Sequence, residues 1–259
     1  MSFGSNDSGY GPGEDDPYRG YQAQPSARPP RIRRASRLKT ALRRPNAPLV
    51  TYGIIVACVV IWLLQLVVPG FTNALVFFAP FTHVQPWRII TGGFAHSTST
   101  LLHLPLNMYT LWIFGMVLEP ILGRWRYATV YLLSMVGGWV SVALLAPATP
   151  VLGASGALFG LMASLMVMVR HLGGQYIQLL VLLGVNLLFG FLGGGVSWQA
   201  HVGGLVVGLV LGMILARTRY RVRSQTIWLS VCAVVLVVGL WMATDPNFLA
   251  ARLIPGLRG

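Results

Sequence analysis

Seven apolar stretches, each close to the length that crosses a hydrocarbon layer, recur at residues 49–68, 101–118, 128–145, 154–169, 176–192, 199–216 and 226–243. A helix rises 1.5 Å per residue, so about twenty residues span a ~30 Å layer. Lipid offers the backbone no partner, which leaves only helices and closed barrels. None of these stretches alternates as a barrel strand does. The expectation is an all-α membrane protein with seven segments in one bundle. Composition points the same way: 55% of the residues are apolar and 10% are charged, against roughly 25% charged in a soluble domain.

A net charge of +13 would by itself suit nucleic acid, but its placement suits a bilayer. Arg31, Arg33, Arg34, Arg37, Lys39, Arg43 and Arg44 precede the first segment. Arg124 and Arg126 fall between the second and third, Arg170 follows the fourth, and Arg217, Arg219, Arg221 and Arg223 fall between the sixth and seventh. If the helices alternate in direction, all these positions share one side. The positive-inside rule then predicts a cytoplasmic N-terminus, an external C-terminus and no nucleic-acid partner. The first apolar run begins near residue 49 and is longer than the core of a cleaved signal, so no signal peptide is expected.

Three regions follow from composition. Residues 1–46 are rich in Gly, Ser, Pro, Asp and Arg, and read as a disordered cytoplasmic tail. Its basic half either touches anionic head groups or simply fixes topology. Residues 47–220 hold six of the segments, and residues 221–259 the seventh with a short tail. The connection between the first two segments carries Phe71, Phe77, Phe78, Phe81 and Trp87. So aromatic a loop either packs on the bundle or lies in the membrane interface. Cys58 and Cys232 sit within apolar runs and do not form a secreted disulfide framework.

Chemistry concentrates at the outer ends of three segments. Ser155 opens the fourth, within Gly153-Ala154-Ser155-Gly156. A serine nucleophile needs a base within reach and small neighbours, and a helix start supplies N–H groups for developing negative charge. The same four residues also suit close packing between membrane helices. His201 opens the sixth segment and is the candidate base, because an ionisable group in a membrane helix is costly. Gly204, Gly208 and Gly212 follow it at intervals of four. That stripe lets a partner helix approach; if the partner is the fourth segment, with Gly156 and Gly160 on one face, Ser155 and His201 meet at one depth. His103 and Asn107, four apart at the start of the second segment, share a helical face. They suit an oxyanion hole or a plain interhelical hydrogen bond.

The acidic residues are six: Asp7, Glu14, Asp15, Asp16, Glu119 and Asp245. None is placed to orient His201 as a triad carboxylate would, so serine chemistry here means a dyad. The census also argues against an aspartyl intramembrane protease. None of the five histidines is followed by Glu, which argues against an H-E-x-x-H zinc site. Neither metal nor cofactor is expected.

These motifs together resemble the rhomboid family of intramembrane serine proteases, over residues from about 49 to 217. The matches are Gly153-x-Ser155-Gly156; His201 with Gly204, Gly208 and Gly212; His103-x-x-x-Asn107; Trp87-Arg88; and Gly115, Glu119 and Gly123. The resemblance implies a six-helix rhomboid-like bundle plus one C-terminal transmembrane helix, the arrangement of bacterial and secretory-pathway members, in a bacterial plasma membrane. It implies that Phe159 packs on His201, and that Gly153 and Gly156 crowd the serine. It makes Trp87-Arg88 structural, in a partly embedded loop. It implies that the loop near residues 192–197 caps the site, with Gly193, Gly194 and Gly195 as a mobile lid; a plain linker is the other reading. Members often carry a further His five residues before the oxyanion His. His96 is seven before His103, with an apparent two-residue insertion between, and is left out of the set.

The expected activity is an endopeptidase: Ser155 attacks, His201 serves as base, and Ser155 N–H, His103 and Asn107 hold the oxyanion. Its partners are transmembrane protein substrates and the lipid bilayer. The alternatives are an inactive rhomboid-like protein that binds membrane clients, or a transporter. A transporter would want polar groups near mid-membrane, and these segments have almost none.

Overall fold

The computed structural model describes Met1, residues 47–192 and residues 197–253. The tail at 2–46 and the glycine run at 193–195 lie outside the described residues. The chain runs through α1 (Leu49–Val67), two short helices α2 (Phe71–Leu75) and α3 (Arg88–Thr91), then α4 (His103–Leu122), α5 (Arg124–Leu145), α6 (Ser155–His171), α7 (Ile177–Leu192), α8 (Trp198–Arg217), α9 (Val222–Ala243) and the short α10 (Pro246–Leu253). Among the described residues the β-structure is a single bridge, Phe77 with Val151. Four helices, α1, α5, α8 and α9, are long and apolar enough to cross a membrane, and α6 and α7 are shorter apolar helices. The protein is a multi-pass helical membrane protein.

Each expected segment is a helix, but several run further than hydropathy suggests. Arg124 and Arg126 do not lie in a loop: Gly123, at φ +80°, turns the chain alone and α5 starts at Arg124. Arg126 then donates to Leu122 O (3.0 Å) and to the Gln225 side chain of α9. Arg170 and Arg217 likewise lie in the last turns of α6 and α8, and Arg223 in the first turn of α9. Long arginine stems extend along the helix while the charge reaches outward, so helices continue into the charged flanks.

The centre of the bundle is α6, where residues 156–165 are all buried. It packs against α8, and α5 packs against both. The close approach is backbone on backbone: a Cβ at Gly204 would overlap the carbonyl oxygen of Gly156, and one at Gly208 would overlap Gly160. Ser164 Oγ donates to Gly208 O at 2.7 Å, on the same seam. The glycine stripe has a second partner that the sequence did not suggest. A Cβ at Gly203 would overlap Gly137 O, and one at Gly138 would lie 2.9 Å from Ala200 O, so α5 closes on the other flank of α8.

At the opposite end from Ser155, Glu119 is 2% exposed. Its carboxylate accepts the backbone N–H groups of Val50 (2.9 Å) and Thr51 (2.8 Å) and the Thr51 hydroxyl (2.7 Å). The start of α1 has no side-chain cap of its own. Glu119 therefore supplies, from α4, an acceptor and a negative charge for the unpaired N–H groups there. Gly115, one turn earlier, leaves room for the Thr51 side chain.

Part of the aromatic connection between α1 and α4 packs on the bundle. Phe77 is fully buried and stacks on Trp139, with ring centroids 4.7 Å apart. Phe81 and Trp87 remain exposed. Trp87 Nε1 donates to Ala74 O (3.1 Å) and Arg88 Nη1 to Val76 O (2.7 Å), tying α3 to the segment around α2.

Candidate active site

Ser155 is the first residue of α6, preceded by a loop that is tethered on both strands. Phe77 and Val151 exchange N–H···O bonds of 2.9 Å, and Gly153 N–H donates to Gly92 O at 2.9 Å. Gly153 has φ +121°, a conformation open to glycine, and a Cβ there would lie 2.9–3.0 Å from the His103 ring. The connection between α1 and α4 thus fixes the height of Ser155, and glycine is what the turn accepts.

Across the α6–α8 seam, His201 Nε2 lies 2.9 Å from Ser155 Oγ. His201 is buried, while Ser155 is half-exposed. The Phe159 ring stacks on His201 with centroids 4.3 Å apart and planes 18° apart. His201 Nδ1 is buried with no hydrogen-bond partner among the described residues. For Ser155 to donate to Nε2, the neutral imidazole must carry its proton on Nδ1. Stacking, not a carboxylate, holds the ring in that orientation.

His103 is oriented by the chain before it. Ser97 N–H donates to His103 Nδ1 at 3.1 Å. A neutral His103 that accepts at Nδ1 carries its proton on Nε2, the atom facing Gly153. A donor therefore points toward the turn that precedes Ser155. Asn107 is buried, and its Nδ2 donates to His103 O at 2.8 Å. An amide nitrogen has two hydrogens, so one remains for another acceptor.

His96, set aside on spacing, sits beside this group. It is fully buried, with its ring centroid 5.2 Å from that of His103. Gln65 of α1 clamps its backbone, accepting from His96 N (3.0 Å) and donating to His96 O (3.0 Å). Burial, with His103 adding to it, pushes the His96 imidazole down to about 4. The chain bends at Thr98–Ser99, after Ser97, which leaves His96 beside His103. The usable signal was Gln65, a lone polar side chain in an apolar run. Ser97 acts through its backbone and had no signal at all. Among the described residues no three His, Cys, Asp or Glu side chains cluster as metal ligands would.

A family model for the rhomboid domain matches residues 83–218, which contain every one of these groups except Gln65 and Phe77. The chain belongs to the rhomboid family. Similar proteins include the mitochondrial RHOMBOID-like protein 6 of Arabidopsis thaliana, 34% identical over 48% of this chain and 42% of that protein. The rhomboid protease GluP of Bacillus subtilis is 27% identical over 59% of this chain and 31% of its own length. The putative rhomboid protease YdcA, also of Bacillus subtilis, is 32% identical over 47% and 63%. The match thus spans between 31% and 63% of the length of these relatives.

Proposed function

We propose that this rhomboid is an intramembrane serine endopeptidase that cleaves membrane-anchored proteins with Ser155 and His201. The observation that carries the reading is the 2.9 Å approach of His201 Nε2 to Ser155 Oγ beneath a stacked Phe159. His201 takes the hydroxyl proton as Oγ bonds to the scissile carbonyl carbon, then returns it to the departing amine. Water attacks the acyl-enzyme with His201 again as base, releasing the carboxylate and restoring Ser155. Ser155 N–H, His103 Nε2–H and the second amide hydrogen of Asn107 hold the negative oxygen between these steps. The deciding experiment is labelling of the purified chain with a fluorophosphonate serine probe. Labelling of the wild type, lost in Ser155→Ala, is the expected result; an unlabelled wild type would favour a client-binding protein that does not cut.

Asn107→Ala is expected to lower turnover by roughly 10–1000-fold while probe labelling persists, the range around the loss of one oxyanion donor. An unchanged rate would reduce Asn107 to a helix-packing residue.

The arginine placement supports a cytoplasmic N-terminus and an external active site, with residues 1–46 as a cytoplasmic tail and residues 221–259 as an addition to the six-helix core. Reporter fusions after Arg126 and Arg170 should then read cytoplasmic, and fusions after Pro80, Thr149 and Gly259 external. A cytoplasmic reading at Gly259 would overturn this topology.

With the dyad at the outer ends of α6 and α8, the scissile carbonyl must arrive near the external face. A helical carbonyl is tied to an N–H four residues on. Local unwinding is therefore needed, and Gly or Pro in the substrate lowers its cost by ~1–3 kcal/mol. The expected substrate is a single-pass segment cut in its outer part, after a small side chain that fits beside Gly153 and Gly156. Mass spectrometry of cleaved model substrates tests this; equal cutting of a poly-Leu helix would count against it.

A further inference from the structure

Far along α8 from His201, a groove opens between α8 and α9. It has a volume of about 640 Å³, within the range of roughly 300–1000 Å³ that holds small-molecule ligands. Val206, Val210, Val235 and Leu236 line one end, and Trp228, Arg217 and Thr218 the other. We propose that this groove binds one anionic phospholipid, its acyl chain along the valines and its phosphate at Arg217.

The dimensions match one leaflet. Arg217 lies eleven residues beyond Val206 on α8, roughly 16 Å at 1.5 Å per residue, about half of the ~30 Å hydrocarbon layer. The groove therefore begins at the arginine-rich membrane face and ends near mid-membrane, where one leaflet's acyl chains end.

Charge selects the head group. Arg217 is exposed, and no acidic side chain among the described residues pairs with it. Arg219, Arg221 and Arg223 follow within the short turn to α9 and its first residues. Trp228, 53% exposed, stands at the same end, the depth at which tryptophan is favoured in a bilayer. The apolar wall, the interfacial Trp and the clustered cations are the three chemistries of an anionic lipid, and a transmembrane partner helix would use the first alone. α9 packs mainly on α5 and only sparsely on α8; among the described residues its polar ties to the bundle lie near its ends, Gln225 to Arg126 and the Trp241–Thr244 segment to His83. An acyl chain fills the space between.

The test is native mass spectrometry of the full chain, delipidated in detergent and titrated with phosphatidylglycerol or phosphatidylcholine. Wild type should hold one phosphatidylglycerol about fivefold or more tightly than phosphatidylcholine, the equivalent of ~1 kcal/mol per interfacial arginine. Arg217→Gln should lower that preference about fivefold. Val210→Trp and Val235→Trp, which fill the groove from its two walls, should lose the tightly held lipid, whereas Leu63→Trp on the exposed face of α1 should keep it. Equal binding of the two lipids by wild type, an unchanged preference in Arg217→Gln, or the same loss in Leu63→Trp would each overturn the proposal. So would a dimer dispersed by Val210→Trp, which would make a second copy of the chain the occupant. Arg217→Gln changes an exposed side chain and leaves the packing intact, so its result decides even if a groove-filling variant does not fold.

Discussion

Ser155→Ala and His201→Ala are each expected to lower peptide-bond hydrolysis by roughly 10⁴–10⁶-fold, because nucleophile and base act as one unit and losing either removes the covalent route. The pair differs from a triad in what stands behind the base: among the described residues His201 Nδ1 meets no carboxylate. The double variant should therefore be no worse than either single one. Both side chains sit at helix starts, so their loss leaves the α6–α8 seam intact and both variants should extract from membranes as folded protein. Turnover of a fluorogenic transmembrane substrate by purified protein is the measurement. Substantial hydrolysis by Ser155→Ala would falsify the serine mechanism.

Gly208→Val is expected to be the most damaging substitution outside the dyad. Its Cβ would be driven into the oxygen, Cα and carbonyl carbon of Gly160. Backbone cannot rotate away as a side chain can, so the cost belongs at the upper end of overpacking, about 3 kcal/mol. Separating α6 from α8 would also pull Ser155 from His201, so probe labelling and thermal stability should fall together. Gly239→Val on α9 is the control. A Cβ there meets nothing within 4 Å, and both readouts should stay near wild type. Equal tolerance at the two positions would mean that the seam is far looser than its geometry.

The contrast between these glycines bears on what the sequence could reveal. Gly204, Gly208 and Gly212 announce a packing stripe by their spacing of four, and Ser155 and His201 stand at matching heights on two such stripes. That pairing was readable because α-helical periodicity and bilayer thickness are local rules. The second partner, Gly137 and Gly138 of α5, was not readable in the same way. Two adjacent glycines make no stripe, and which helix covers them depends on how the whole bundle closes.

Length, polarity and spacing by themselves determined the helices, their membrane character and the meeting of Ser155 with His201, since each of those rests on chemistry within one turn or one segment. Glu119 is a different case. The sequence puts a carboxylate near the end of α4, yet only the folded chain shows that it caps the first turn of α1, sixty-eight residues away in sequence from Thr51. The tautomer of His103 is set by the backbone N–H of Ser97, and the height of Ser155 by the carbonyls of Phe77 and Gly92. Every residue but proline carries such backbone groups, so nothing in the sequence distinguishes the ones that matter. Tertiary structure decides them, because only closure of the bundle brings a particular N–H or C=O to a particular side chain.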